Sequence, residues 1–382
     1  MPALACQRSR EVSPTRPGVW KWPAASSAVL WNGDPCSQSP ALTLKTKPSL
    51  SLPIITHHRM PVNLEPGRLA QPNPGQDSPS AAPRTENIFM RPGGWYTQPM
   101  TTTIEDILLG QDKRGVAALR PYLPTDFCTQ AARYVLEHPG PALIATGFYI
   151  LAAGSHETDG PPGALAIGAA LQALGRPVTY LSDGPTPTLL REWLARKHDQ
   201  ADVVDCPVAG IPQSRQWAQE LLARLKPALL ISIERCGRTA QDTYLNMRSR
   251  DITPWTARLD YLFEQGIPSV GIGDGGNEIG MGNLAEFIPT VESLPREPAI
   301  TRVDRLVIAS VSNWGGYGLA AALSQLAGRP DWSGLPTVEH EAKLIRFLVD
   351  NGAVDGTTGK GDYRVDGFTL EEHGAVLEKL RG

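Results

Sequence analysis

Cysteine is scarce in this chain, with five residues in 382 (Cys6, Cys36, Cys128, Cys206 and Cys236) and no C-x-x-C pair. That spacing supplies neither a disulfide framework nor a zinc site and points to a reducing compartment. Histidine is nearly as sparse. His57 and His58 fall in the first hundred residues, His138, His198 and His373 at helical ends, and His340 at a polar helix start. Only His156 neighbours a polar cluster, and its loop position predicts a solvated ring. No apolar run reaches the ~18 residues of a membrane span; the longest, 142–154, reads as a buried strand running into a loop. Neither G-x-S-x-G, nor G-x-x-x-x-G-K-[ST], nor H-E-x-x-H occurs, which argues against a serine hydrolase, a P-loop ATPase and a zincin.

Proline and charge are present but unevenly spread. Sixteen of the 35 prolines lie in residues 1–99, a stretch with no helical or strand period. Its composition predicts a disordered tail, because it cannot bury enough apolar surface to offset chain entropy. The tail carries ten Lys and Arg against five Asp and Glu, leaving 26 and 34 for residues 100–382, a net charge of −8. An acidic globular part lacks the clustered basic residues that phosphate binding needs, so a small molecule is expected rather than nucleic acid, and no membrane partner. Arg8, Arg10 and Arg16 would suit a transit peptide to the mitochondrial matrix, but the prolines oppose its amphipathic helix. The favoured reading is an upstream start, with Met100 opening the ordered unit in the cytoplasm. Thr103 with Asp106 can cap a helix directly after it.

From residue 104 onward, short apolar runs alternate with helical patterns. Strands are expected at 142–147, 178–182, 202–206, 228–233, 269–272 and 306–311. Helices are expected at 127–138, 163–174, 187–197, 213–225, 255–265 and 317–326, with two more at 339–351 and 369–381, the last opened by a Thr369–Glu372 capping box. The pattern predicts a single α/β domain, doubly wound, with a mostly parallel sheet and helices on both faces.

The densest signal is VGIGDGGNEIGMGN, 270–283, in which six of fourteen residues are glycine and the side chains between them include Asp274, Asn277 and Glu278. It contains G-x-G-x-x-G at Gly271, Gly273 and Gly276, yet two carboxylates sit where a pyrophosphate would lie, and no strand ending in an acid follows about 20 residues on. Carboxylates repel phosphate and attract a cation or an amine. A plain alternative is a tight turn whose acids cap the next helix.

Other polar clusters fall at strand ends as well. They are His156 to Gly163 with Glu157 and Asp159, Ser182-Asp183-Gly184, Glu234-Arg235-Cys236-Gly237-Arg238, and Ser312-Asn313-Trp314-Gly315-Gly316. Asp159 and Asp183 singly are ordinary turn residues. Together the clusters predict one crevice at the carboxyl edge of the sheet. Arg235 and Arg238 offer planar forks for a carboxylate, with surface or buried salt bridging to neighbouring acids as the bland alternative. Asp274 and Glu278 with a third carboxylate would suit Mg²⁺ or Mn²⁺.

ETDGPPGA at 157–164, the Asp183 strand end, SIER and GR at 232–238 with Tyr244, Asn246 and Met247, GIGDGGNEIGMGN, and Asn313-Trp314-Gly315 together resemble the D-glutamate cyclase family over residues 101–382. The resemblance implies a hydro-lyase that closes D-glutamate to 5-oxo-D-proline and water. It implies Arg235 or Arg238 on the α-carboxylate, with Asn277 or Asn313 as amide partner and Asp183 lining the site. Asp274 or Glu278 would be base or metal ligand, Gly275 and Gly276 would supply oxyanion N–H groups, Glu157 or Asp159 would act as proton donor, and Glu234 would be a further catalytic residue. A homo-oligomer is compatible with this reading. A non-catalytic module binding an acidic amino acid or a nucleotide, and a metal-dependent hydrolase of small substrates, are the alternatives.

Overall fold

The six apolar runs become the strands of one parallel sheet, and the polar ends of those strands all face the same edge. A computed structural model describes residues 102–329 and 335–382, all within one compact unit, Asn87–Gly382. The tail expected at 1–99 lies outside the described residues. The chain runs α1 (Ile104–Leu109), α2 (Phe127–Glu137), β1 (Ala142–Thr146), the short ribbon β2 (Tyr149–Ile150) and β3 (Ser155–His156), α3 (Pro161–Ala173), β4 (Val178–Ser182), α4 (Thr186–Arg196) and β5 (Asp202–Asp205). It continues through α5 (Ile211–Leu225), β6 (Leu229–Ile233), α6 (Asp260–Phe263), β7 (Ser269–Gly273), β8 (Arg305–Ile308), α7 (Ser312–Leu326), α8 (Val338–Asp350), the ribbon β9 (Arg364–Val365) and β10 (Phe368–Thr369), and α9 (Leu370–Arg381).

The sheet order is β5-β4-β1-β6-β7-β8, every pair parallel. Helices pack around it, with α7 set against α2, α3 and α9. The inner strands β1, β6 and β7 are buried at every position, as expected of a parallel sheet covered on both faces, whereas the edge strand β5 exposes Asp202 and Asp205. The chain first walks outward from β1 to β5 and then returns to β6 on the other side of β1. That reversal opens a crevice between the carboxyl ends of β1 and β6, the place where such sheets hold ligands.

Two elements differ from the sequence expectation, for the same physical reason. The helix expected at 255–265 is a 3₁₀ turn at Thr253–Trp255 followed by the four residues of α6. Between them the Ala257 N–H donates to Asp183 (2.5 Å) and the Ala257 carbonyl accepts from Arg235 (2.7 Å), so neither group is free for a helical ladder. In the opposite direction, α7 begins at Ser312 and not at Tyr317. Its first N–H groups are satisfied by buried acids, and its glycines are set by packing. A Cβ on Gly315 would lie 2.6 Å from Ile272 Cγ2, and one on Gly316 2.8 Å from the backbone of Gly163 on α3.

Both expected capping boxes form, Thr103 with Asp106 at α1 and Thr369 with Glu372 at α9. The β9–β10 ribbon turns through Asp366 and Gly367, both left-handed (φ 52° and 75°), the Asp-Gly pair that a tight hairpin favours. Among the described residues no helix is long and apolar enough to cross a membrane.

Candidate active site

Five carboxylates and one guanidinium meet at the reversal of the sheet. Glu157 and Asp159 follow β3 of the ribbon that comes after β1, Glu234 follows β6, Asp274 follows β7, and Asp366 arrives from the β9–β10 hairpin. All five are buried. Asp159, Glu234 and Asp274 come closest, each offering an oxygen within 4.8 Å of the others. Arg114, from the loop after α1, donates through Nη1 to Asp274 and through Nη2 to Asp366 (2.6 Å). Its side chain is 21% exposed while the two acids are 0% and 3%, so the guanidinium stands at the outer face of the cluster.

The start of α7 anchors the inner face. Asp159 accepts the N–H groups of Ser312 (2.9 Å), Asn313 (2.7 Å) and Gly160 (2.9 Å), taking the place an anion holds at a helix N-terminus. Asp274 accepts the same Ser312 N–H at 3.2 Å, and the Ser312 hydroxyl donates to Glu234 at 2.6 Å. Glu234 sits at φ 42°, a left-handed position that a bulky residue avoids unless its surroundings fix it. Gly356 lies against the acids, where a Cβ would fall 1.8 Å from Glu157 Oε2 and 2.9 Å from Asp366 Oδ1.

One cation among five buried acids leaves charge uncompensated, and proton affinity rises accordingly. Burial, then Glu234 and Asp366, push the Glu157 carboxyl well above its ordinary range. Burial, then Glu278 and Asp159, do the same to Glu234. Asp159 rises to about 7, through burial and Asp366, held back by the α7 N–H groups. Asp274 is raised by burial even though Arg114 beside it pulls the other way. Arg114 holds its proton more firmly than usual: burial opposes this, but the surrounding acids outweigh it.

Several expected site residues have other occupations. Glu278 accepts the N–H groups of Asp274 (3.2 Å), Gly275 (2.7 Å) and Gly276 (2.7 Å). The protein's own carboxylate thus fills the glycine loop: the Gly275 and Gly276 N–H groups, expected to serve an oxyanion, and the Glu278 carboxylate, expected to be base or metal ligand, bond each other. It also closes the G-x-G-x-x-G turn to a phosphate. Arg235 is spent on Asp183, in a two-pronged pair of 2.7 and 2.5 Å, and on the carbonyls of Gly147 (3.0 Å) and Ala257 (2.7 Å). Both oxygens of Asp183 and both terminal nitrogens of Arg235 are thus engaged within the protein. Arg238 bonds Glu264 (2.6 Å), away from the acids. The Asn277 amide donates to the Leu245 carbonyl (2.9 Å). Asn313 accepts the N–H groups of Gly160 and Gly163 (both 2.9 Å) and donates to the Thr158 carbonyl (3.2 Å), tying α3 to α7.

His156 is buried, not solvated. Its Nδ1 pairs with Thr186 Oγ1 at 2.7 Å, and burial lowers its pKa to about 4 despite Asp183 nearby. Arg114 and Asp366 are the site residues that sequence reasoning passed over, and Ser312 was read only as part of a polar strand end. Asp366 had a legible signal in its Asp-Gly hairpin turn; Arg114 had none beyond a basic pair ahead of Gly115.

The chain is 33% identical over 288 residues to human D-glutamate cyclase, mitochondrial, covering 64% of this chain and 46% of that protein. The chain thus spans about half the length of that relative. Among solved structures it bears a slight likeness to a short-chain dehydrogenase/reductase from Serratia marcescens (12% identity, 50% of this chain and 70% of that one, TM-score 0.24). The same holds for an actinorhodin polyketide ketoreductase with NADPH (16% identity, 64% and 90%, TM-score 0.25). Scores this low carry no argument. Residues 104–381 match the family described as D-glutamate cyclase-like, C-terminal, and the chain belongs to that family.

Proposed function

We propose that this chain is a hydro-lyase that cyclises D-glutamate to 5-oxo-D-proline and water at the Glu157–Asp159–Glu234–Asp274–Asp366 cluster. The observation that carries the reading is a set of buried carboxyls with raised proton affinity, gathered at the sheet crevice of a D-glutamate cyclase-like domain. In the reaction the amine nitrogen forms a bond to the γ-carbon, and one γ-oxygen departs. The ammonium becomes an amide N–H and so gives up two protons, both of which leave on that oxygen as water. Catalysis is therefore the relay of two protons from nitrogen to oxygen across a substrate folded for ring closure.

Carboxyls poised near neutrality suit that relay better than ordinary ones. Asp159, raised to about 7, is a stronger base toward an ammonium than a solvated aspartate. Glu157 and Glu234, whose proton affinity is raised by burial and by neighbouring acids, are donors to the departing oxygen. The same surroundings favour the neutral form of the substrate's γ-carboxyl, which lets hydroxide leave as water. Ser312, bonded to Glu234, fixes that donor's direction.

Asp159, Glu234 and Asp274 would also hold a divalent ion, since clustered carboxylate oxygens suit Mg²⁺ or Mn²⁺. Bound there, the ion would supply a positive charge that polarises the γ-carboxyl. The human relative's name assigns that protein to mitochondria; for this chain we assign the matrix only if the first hundred residues act as a transit peptide, and the cytoplasm otherwise.

The test is proton NMR of the full chain with D-glutamate and L-glutamate, with and without Mg²⁺ or Mn²⁺. The expected result is 5-oxo-D-proline from the D isomer, and a loss of about 10²–10⁴-fold in turnover for Asp159→Asn and Glu234→Gln with folding intact. A folded wild-type protein that converts neither isomer refutes the reading.

A further inference from the structure

The site leaves one task without an owner. An amino acid brought to five acids needs a cation for its α-carboxylate, and Arg235 and Arg238 are both committed elsewhere. Arg114 is the guanidinium that remains, and three features set it apart from a mere counter-ion.

First, its fork is only half used. Nη1 and Nη2 each give one hydrogen bond, and each goes to a different acid, so no carboxylate occupies the two-pronged geometry that arginine prefers. Second, its main acid partner from the hairpin is incompletely bonded. Asp366 is 4% exposed, yet its Oδ2 has no hydrogen-bond partner, while its Oδ1, which accepts from Arg114, lies beside the same Gly356 as Glu157 Oε2. An unsatisfied buried carboxylate oxygen is costly and is best explained by a donor that arrives later. Third, the loop that carries Arg114 is braced. Asp112 accepts the N–H groups of Arg114 (2.9 Å), Gly115 (2.8 Å) and Ala117 (2.8 Å), and the Ser293 hydroxyl donates to the Arg114 carbonyl at 2.5 Å. Lys113 lies 3.3 Å from the centre of the Phe368 ring and so fastens the loop to the hairpin that bears Asp366.

We infer that Arg114 and Asp366 are the receptor for the zwitterionic head of the amino-acid substrate, the guanidinium taking the α-carboxylate and the carboxylate taking the α-ammonium. This inference rests on the proposed amino-acid chemistry. The exchange is neutral in charge: one internal ion pair is replaced by two pairs with a ligand that brings both signs. It also places the amine beside Asp274 and Asp159, the acids that receive its protons, and leaves the γ-carboxyl to reach Glu157 and Glu234. Partial exposure of Arg114 gives the ligand its way in.

The test uses the full chain and three probes: D-glutamate, glutarate, which lacks the amine, and 4-aminobutyrate, which lacks the α-carboxylate. Arg114→Gln should raise KM for D-glutamate at least tenfold with a smaller change in kcat. It should weaken glutarate binding, measured by calorimetry, while leaving 4-aminobutyrate unaffected. Asp366→Asn should give the mirror image, weakening 4-aminobutyrate and sparing glutarate. Unchanged affinities for all probes in both variants would overturn the inference, as would equal losses for all three together with a fall in Tm. If Arg114→Gln does not fold, Arg114→Lys keeps the charge without the fork and should still weaken glutarate selectively. Absence of turnover by the wild type would refute the cyclase reading by itself, whereas the crossed pattern of glutarate and 4-aminobutyrate binding reads the receptor independently.

Discussion

Two buried ion clusters lie along the same sheet edge, and their stoichiometry separates them. Around Arg235, one guanidinium faces one carboxylate, Asp183, and its two terminal nitrogens also reach the Gly147 and Ala257 carbonyls, leaving only the buried Nε without a partner. The Asp183 carboxyl is pulled below its ordinary range because Arg235 outweighs the burial that would raise it. Around Arg114, one guanidinium faces five carboxylates, four of which are raised, and the side chain that carries it is partly exposed. A balanced, sealed pair holds loops in place. An unbalanced, half-open cluster keeps protons and donors ready for a ligand. The glycine loop belongs with the first kind, since Glu278 seals its N–H groups from within.

The largest effect that would break this contrast lies at Arg235. Arg235→Gln strands Asp183 as an unpaired buried charge and should cost about 3–5 kcal/mol in urea unfolding; a loss under about 1 kcal/mol would mean that the sealed pair is not structural. Next comes Glu278→Gln, which leaves one acceptor for three N–H groups and sets an amide N–H against the others. It should destabilise by about 1–3 kcal/mol, and any turnover lost should recover in proportion to the folded fraction. Full stability combined with abolished turnover would move Glu278 into the catalytic group.

The smallest effect is in the pH dependence, where the two clusters have opposite signs. Asp159, raised from 3.8 to about 7 in the folded protein, contributes stability that is complete below pH 4 and is lost as pH rises through 7. Glu157, Glu234 and Asp274 act in the same direction. His156, lowered from 6.5 to about 4, contributes stability that is complete above pH 6.5 and is lost as pH falls through 4. Between pH 4 and 6.5 the two contributions oppose each other, and the four raised carboxyls outnumber the one histidine, so urea midpoints should fall as pH rises from 4 to 8.5. Glu157→Gln should make that fall shallower, and His156→Gln should make it steeper below pH 6.5 while leaving it unchanged above. If both substitutions change the slope in the same direction, the clusters are one electrostatic unit and the contrast fails.

The sequence by itself determined the sheet and the gathering of acids at its edge. Runs such as Leu229–Ile233 and Ser269–Gly273 carry enough apolar side chain to be buried on both faces. Once those strands are parallel, Asp159, Glu234 and Asp274 must emerge on one side. Local chemistry also sufficed for the helix starts at Thr103 and Thr369, where cap and partner are three residues apart. What only the tertiary structure decided is which charges pair. Arg114 meets Asp274 across 160 positions and Asp366 across 252, and Arg235 meets Asp183 across 52. Glu278 is the instructive case at short range: its spacing to Asp274 looks like a second catalytic acid, and only the fold of the loop shows its oxygens turned onto the N–H groups of Gly275 and Gly276. The physical reason is that burial and pattern are additive along a chain and legible from it. The work an ionisable group performs depends on the few ångströms around it, and those are set by segments that meet only when the chain has folded.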